Sequence, residues 1–201
     1  MAQVTLNPSQ DCHMTNGASA STNQDGSTSN DVGEYNGAVN DIRRSLIQFD
    51  LASVPSGATI TGATLRMYDS GANLATNTRT MKVYRCRRTW GETTVTWNKY
   101  DGTNNWTTAG ADDTTNDREG TDVGSISMPG TEVAGYNDIT ITASAVQEWL
   151  TGSFSNNGFL IRMDTETDDL HRFDYRLGSN PPQLVIDYDL PSGSGFYYMS
   201  V

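Results

Sequence analysis

The acidic run A-D-D-T-T-N-D-R-E, Ala111 to Glu119, sets Asp112, Asp113, Asn116 and Asp117 close together. Carboxylate and amide oxygens are what a calcium ion takes, about six to eight of them at short range. The spacing is not that of an EF-hand, so a calcium site here would draw on several loops; the other reading is a solvated acidic loop. Asp164, Glu166, Asp168 and Asp169 form a second acidic stretch of the same kind. Arg43, Arg44, Arg85, Arg87 and Arg88 are the local basic group. Of these, Arg43, Arg87 and Arg88 are candidates to grip the carboxylates of an acidic polysaccharide through paired N–H···O bonds. Structural pairing with Asp and Glu is the alternative. Trp106, in N-N-W-T-T, lies outside any periodicity and is balanced between a ring that contacts a glycan and a ring that is packed.

Other chemistry finds little footing. The sequence has no G-x-S-x-G elbow, no H-E-x-x-H and no phosphate loop. His13 and His171 are isolated, and Cys12 and Cys86 do not complete a zinc spacing with them. The two cysteines read as reduced, buried thiols, with a disulfide as the alternative. No enzyme activity is expected.

The elements that must hold these residues are short strands. Ser45, Ile47, Phe49 and Leu51 fall on one face of an alternating segment, as do Ala63, Leu65 and Met67 in a later one. Met81 to Cys86, Ser125 to Met128, Ile139 to Ile141, Phe159 to Met163, Arg172 to Leu177 and Leu184 to Tyr188 continue the pattern, for some eight to ten strands. T-W-G-E-T-T-V-T-W-N, Thr89 to Asn98, reads as the start of a strand through the alternation of Thr93 to Trp97, with Trp90 and Trp97 either core or sugar platform and core preferred. One helix is expected, T-A-S-A-V-Q-E-W-L-T-G, capped by Thr142, striped by Ala145, Val146, Trp149 and Leu150, and stopped by Gly152. Thr15 to Asn40 and Lys99 to Asp122 are long polar tracts. The fold class is therefore all-β, a two-sheet antiparallel jelly-roll-like β-sandwich with one short helix. It occupies residues 1–190 as a single domain, followed by a Gly/Ser hinge and aromatic tail at 191–201.

Composition agrees. The chain has 201 residues, 35 % of them hydrophobic, a mean hydropathy of -0.54 and a formal net charge of -11. Excess carboxylate argues against nucleic acid, whose affinity comes from Lys and Arg on phosphates, and against an anionic membrane surface. No apolar run is long enough to cross a bilayer as a helix. The N-terminus M-A-Q-V-T-L-N-P-S-Q-D shows no signal peptide, so an export signal was either removed or not needed.

An ordered set of segments, rather than any one, carries a resemblance. It comprises N-P-S-Q-D, R-S-L-I-Q-F-D-L, V-P-S-G-A-T-I-T-G-A-T-L-R-M-Y, V-Y-R-C-R-R-T-W-G-E-T-T-V-T-W-N, D-I-T-I-T-A-S-A-V-Q-E-W-L, N-N-G-F-L-I-R and P-P-Q-L-V-I-D-Y. Over Val4 to Tyr188 the chain resembles the DNRLRE, or disaggregatase-related, domains, which include the family 96 carbohydrate-binding modules. The resemblance implies a sandwich without catalysis of its own, polysaccharide as a ligand for some members, and calcium as a common companion.

Two features depart from that pattern: the self-contained frame, and the tail with Phe196, Tyr197, Tyr198 and Met199 beyond the last strand. Such a tail would be exposed unless a partner covered it. The preferred expectation is a structural or adhesive component of a larger assembly, a phage virion surface protein such as a capsid decoration or fibre. Its partners would be copies of itself and other structural proteins, with polysaccharide as a further ligand. A secreted stand-alone polysaccharide-binding module at an extracellular surface is the alternative.

Overall fold

The structure, a computed structural model, describes residues 1–35, 41–72, 74–131 and 133–190. The expected assembly tail, Phe196, Tyr197, Tyr198 and Met199, lies outside the described residues. In chain order the elements are β1 (Ala2–Leu6), β2 (Pro8–Thr15), β3 (Asn30–Glu34), β4 (Ile42–Phe49), β5 (Thr59–Asp69), β6 (Arg79–Arg85), β7 (Gly124–Met128), β8 (Gly135–Ile141), α1 (Ala143–Thr151), β9 (Phe159–Met163), β10 (Leu170–Phe173) and β11 (Gln183–Asp189).

Antiparallel pairing builds two layers. One runs β1-β11-β5-β8; the other runs β2-β4-β9-β6-β7. Strands β10 and β3 join them: β10 pairs β3, β3 pairs the start of β4, and Phe173 of β10 meets Asp69 at the end of β5. The fold is thus the all-β sandwich that the alternation requires.

Side chains explain the layering. Ile47 and Phe49 of β4, Met81 and Val83 of β6, and Phe159, Ile161 and Met163 of β9 face Leu65 and Met67 of β5, Ile139 and Ile141 of β8, and Leu184 and Ile186 of β11 in one inner core. Period-two alternation puts each strand's apolar set on that face, and each large side chain fully buried contributes about 1.5–3 kcal/mol. Helix α1 adds Ala145, Val146 and Trp149 to the same core, and Trp149 packs on Phe159 with ring centroids 4.7 Å apart.

Three expectations are corrected here. The Thr142 side chain does not cap α1; its hydroxyl donates to the Val123 carbonyl at 3.1 Å, because the chain enters the helix directly from β8 beside that segment. Gly152, at φ 75°, does end the helix. The tract from Thr15 to Asn40 is not all loop, since β3 lies within it. And Thr93 to Trp97 forms no strand: residues 92–94 turn, with Thr94 and Val95 amides returning to the Gly91 carbonyl at 3.0 and 2.7 Å.

That irregular stretch has a different task. The outward residues of the second layer, Cys12 and Met14 of β2, Leu46 of β4 and Leu160 of β9, are buried with Cys86 under Trp90, Val95, Trp97, Trp106 and Ala111. The segment after β6 therefore folds back over the outer face of the sheet as a second, smaller core.

Candidate functional site

The acidic run serves that outer layer. Asp117, fully buried, accepts from the Thr107 and Thr108 amides at 3.0 and 2.9 Å and from Arg88 Nε at 2.8 Å. Burial pushes its carboxyl up, but these donors outweigh it and hold the pKa below the usual carboxylate range. Asp113 Oδ1 accepts from the Thr115 and Asn116 amides at 3.1 and 2.7 Å and from the Asn116 side-chain amide at 3.0 Å, closing a turn. Asp112 meets Arg118 at 2.8 Å and Arg162 at 2.6 Å, with Arg44 at 3.6 Å. The expected calcium set of Asp112, Asp113, Asn116 and Asp117 is thus not brought together. Arginines and amides engage Asp112, Asp113 Oδ1 and Asp117, and among the described residues no group of three or more His, Cys, Asp or Glu is placed to hold a metal ion.

Trp106 is packed, only 4 % exposed, which removes the glycan-contact reading. Its Nε1–H donates to the Thr96 carbonyl at 3.0 Å and Tyr100 lies over it at 5.6 Å, so the indole's polar edge is satisfied inside. Trp90 is fixed in the same way, donating to the Asn157 carbonyl at 2.8 Å. Gly110 closes the layer at φ 77°, where an added Cβ would fall 2.6 Å from the Trp97 ring. Arg44 bonds the Gly110 carbonyl at 2.7 Å and stacks 4.8 Å from that ring. Arg87 and Arg88 lie together on this layer, Arg88 tied to Asp117 and Arg87 at 3.7 Å from Glu119, so the outer arginines pair structurally. Arg43 is elsewhere.

Arg43 stands in an open cleft of about 440 Å³ at the join between the layers. Strand register places its charged wall: Arg172 of β10 is opposite Asp31 of β3, Gly33 of β3 is opposite Arg43 of β4, and Arg43 is opposite Thr15 of β2, two residues after His13. Arg43 Nη1 donates to Asp31 Oδ2 at 2.6 Å, and its Nε and Nη2 hold both oxygens of Asp41 at 3.0 and 2.9 Å. Tyr35 covers this pair from above, 5.4 Å from the Arg43 guanidinium and 6.0 Å from that of Arg172. His13 Nδ1 lies 3.0 Å from the Ser29 carbonyl, which can only accept, so that nitrogen carries the proton. Burial holds the His13 pKa below its usual value, leaving the ring neutral. Asp31 is 1 % exposed, and its Oδ1 has no hydrogen-bond partner among the described residues. Ser27, Thr28, Ser29 and Ser70 complete a lining dominated by hydroxyls.

Behind the cleft a second cavity of about 30 Å³ reaches Asp11, Glu92 and Arg176. Burial pushes Asp11 up to about 6, against the lowering donors Asn30 and the Arg176 amide. Burial also pushes the Cys12 thiol up to about 12, and Cys86 upward too, so neither is a ready nucleophile. Both cysteines are free thiols.

The comparison with known families joins these regions. The model of the disaggregatase-related repeat domain matches residues 13–183. The chain belongs to that family. The match runs from His13 in β2 to Gln183 at the start of β11, so the repeat domain includes most of the inner core, the three tryptophans of the outer layer and the cleft residues His13, Asp31, Arg43 and Arg172. No curated protein matches the chain.

Sequence reasoning found Arg43 and missed His13, Asp31, Asp41, Arg172 and Asp174 as a group. The one available signal was the Ser- and Thr-rich tract after Thr15, too long to be a plain connection.

Proposed function

We propose that this repeat domain is a non-catalytic carbohydrate-binding module, and that the cleft formed by His13, Asp31, Arg43 and Arg172 is where it takes a sugar. The observation that carries the reading is the cleft's chemistry: hydroxyl and amide groups around a charged pair, with a buried carboxylate oxygen lacking a partner. Sugars offer many hydroxyls, each a donor and an acceptor, and such a wall matches them. Family membership supports the reading. Against catalysis stand the raised thiols and the engagement of Asp31 and Asp41 with Arg43. Affinity electrophoresis of the full chain through a panel of polysaccharides tests it. Retarded migration in at least one, lost in Arg43→Ala with the fold intact by circular dichroism, is the expected result; free migration in all would sink the proposal.

A second reading rests on one sequence feature, the aromatic tail Phe196, Tyr197, Tyr198 and Met199. It makes the module a component of a larger assembly, a phage virion surface or another extracellular surface, with copies of itself and other structural proteins as partners. Removal of residues 191–201 then lowers the oligomer mass measured by light scattering. An unchanged mass argues against it.

A further inference from the structure

The cleft's charge balance indicates what kind of glycan it accepts. Arg43 and Arg172 bring two cationic side chains to its lining, whereas Asp31, Asp41 and Asp174 bring three carboxylates. The neutral His13 does not alter that balance. Arg43 in particular is committed: Nε, Nη1 and Nη2 each already donate to a carboxylate at 3.0 Å or less. A uronate carboxylate would have to displace Asp31 or Asp41 from the guanidinium and then lie beside the carboxylate it displaced. Arg172 is no freer for this purpose, with Asp31 Oδ2 at 3.9 Å from its Nε. At longer range the chain's net charge of -11 repels a polyanion.

One acceptor in the wall lacks a donor. Asp31 Oδ1 is a buried acceptor with no bond among the described residues, and such an atom costs free energy until a donor reaches it. A sugar hydroxyl can donate to it; a uronate unit brings its hydroxyls together with an ionised carboxylate, which only accepts and would lie against Asp31 and Asp41. Resting on the carbohydrate-binding reading above, we infer that the cleft selects neutral, hydroxyl-rich glycans and discriminates against polyuronates. Asp31 is the residue that sets the preference, by accepting from a ligand hydroxyl while it holds Arg43 charge-paired.

Affinity electrophoresis and titration calorimetry of the full chain against galactomannan, xyloglucan and mixed-linkage β-glucan, alongside polygalacturonate and alginate, test this. The expected result is binding to a neutral polymer that changes little with salt, with at least about tenfold weaker binding to both polyuronates. Asp31→Asn is expected to weaken neutral binding by about tenfold with a melting temperature near that of the wild type. Should Asp31→Asn misfold, Arg172→Gln, on the cleft wall beside Asp31, takes its place with the same expected loss. Binding to a polyuronate that salt weakens, with none to neutral polymers, overturns the selectivity and leaves the carbohydrate-binding reading standing. Neutral binding unaffected by either variant overturns the assignment to this cleft, and binding to no polymer overturns both.

Discussion

The sheet β2-β4-β9-β6-β7 is buried on both faces, and the two faces are buried by different means. Its inner face meets a second regular sheet, and alternation alone supplies the apolar side chains. Its outer face meets an irregular segment between β6 and β7 that carries three tryptophans, and two of these, Trp90 and Trp106, are fixed by indole N–H groups donating to backbone carbonyls. An inner core of this kind depends on area and shape. The outer core covers less apolar surface and depends on satisfying polar groups: two indole N–H donors, the Asp117 carboxylate, and Arg44 joining Glu166 at 2.8 Å to the Gly110 carbonyl. The lesson is that a loop can act as a packed layer when its buried polar atoms are paired, since each one left unpaired costs about 1–3 kcal/mol.

Breaking the inner face has the largest expected effect. Phe159 is fully buried between Phe49 and Trp149, and Phe159→Ala is expected to cost about 3–5 kcal/mol in a denaturant titration. Loss below about 1 kcal/mol would mean that the two layers do not share one tight core.

Asp117→Ala comes next, at about 3 kcal/mol, because three donors lose their acceptor inside the outer layer. Hydrogen exchange is expected to rise at Thr107 and Thr108 while β9 stays protected, which would show the outer layer opening on its own. The wild-type contribution of Asp117 has a defined pH window. Its folded pKa lies below the unfolded 3.8, so the stabilisation is present above 3.8 and is lost as pH falls through the depressed value.

Asp11, behind the cleft, runs the opposite way. Its carboxyl is raised from 3.8 to about 6, so the ionised form costs stability above pH 6 and the cost vanishes as pH falls below 3.8. Asp11→Asn is expected to gain on the wild type by about 2 kcal/mol near pH 8. That advantage disappears in melts near pH 4; a constant difference across the range would reject the assignment. The smallest effect is expected from Trp106→Phe, about 1–2 kcal/mol, since a ring still fills most of the site while the bond to the Thr96 carbonyl and part of the buried indole are lost. A loss several times larger would show that shape, not hydrogen bonding, governs the outer layer.

The two faces also differ in how far they could be read from the chain. Ile47 with Phe49, Leu65 with Met67, and Phe159 with Ile161 declare their face through a period of two. Leu46 and Leu160, between them, carry no sign that their own face is covered. The covering segment has no period, and alternation at Thr93 to Trp97 suggested a strand where turn bonds to Gly91 prevail. Core burial of Trp90 and Trp97 was legible chiefly from the family pattern they belong to, with their threonine context; burial of Trp106 was not, because the Thr96 carbonyl and the Tyr100 ring that hold it carry no signal in the spacing. The acidic run had the composition of a cation site, and its destination depended on Arg44, Arg88, Arg118 and Arg162, of which Arg44 and Arg162 come from distant strands.

The sequence by itself determined the class of fold, the strands of the inner core, the one helix and the family, because alternation and turn residues act locally and along the chain. Tertiary structure alone decided which carboxylates meet which arginines, that a loop becomes a second core, and that His13, Asp31, Arg43 and Arg172 share a cleft. Those depend on strand register across β10, β3, β4 and β2, and register brings together residues that no spacing along the chain relates.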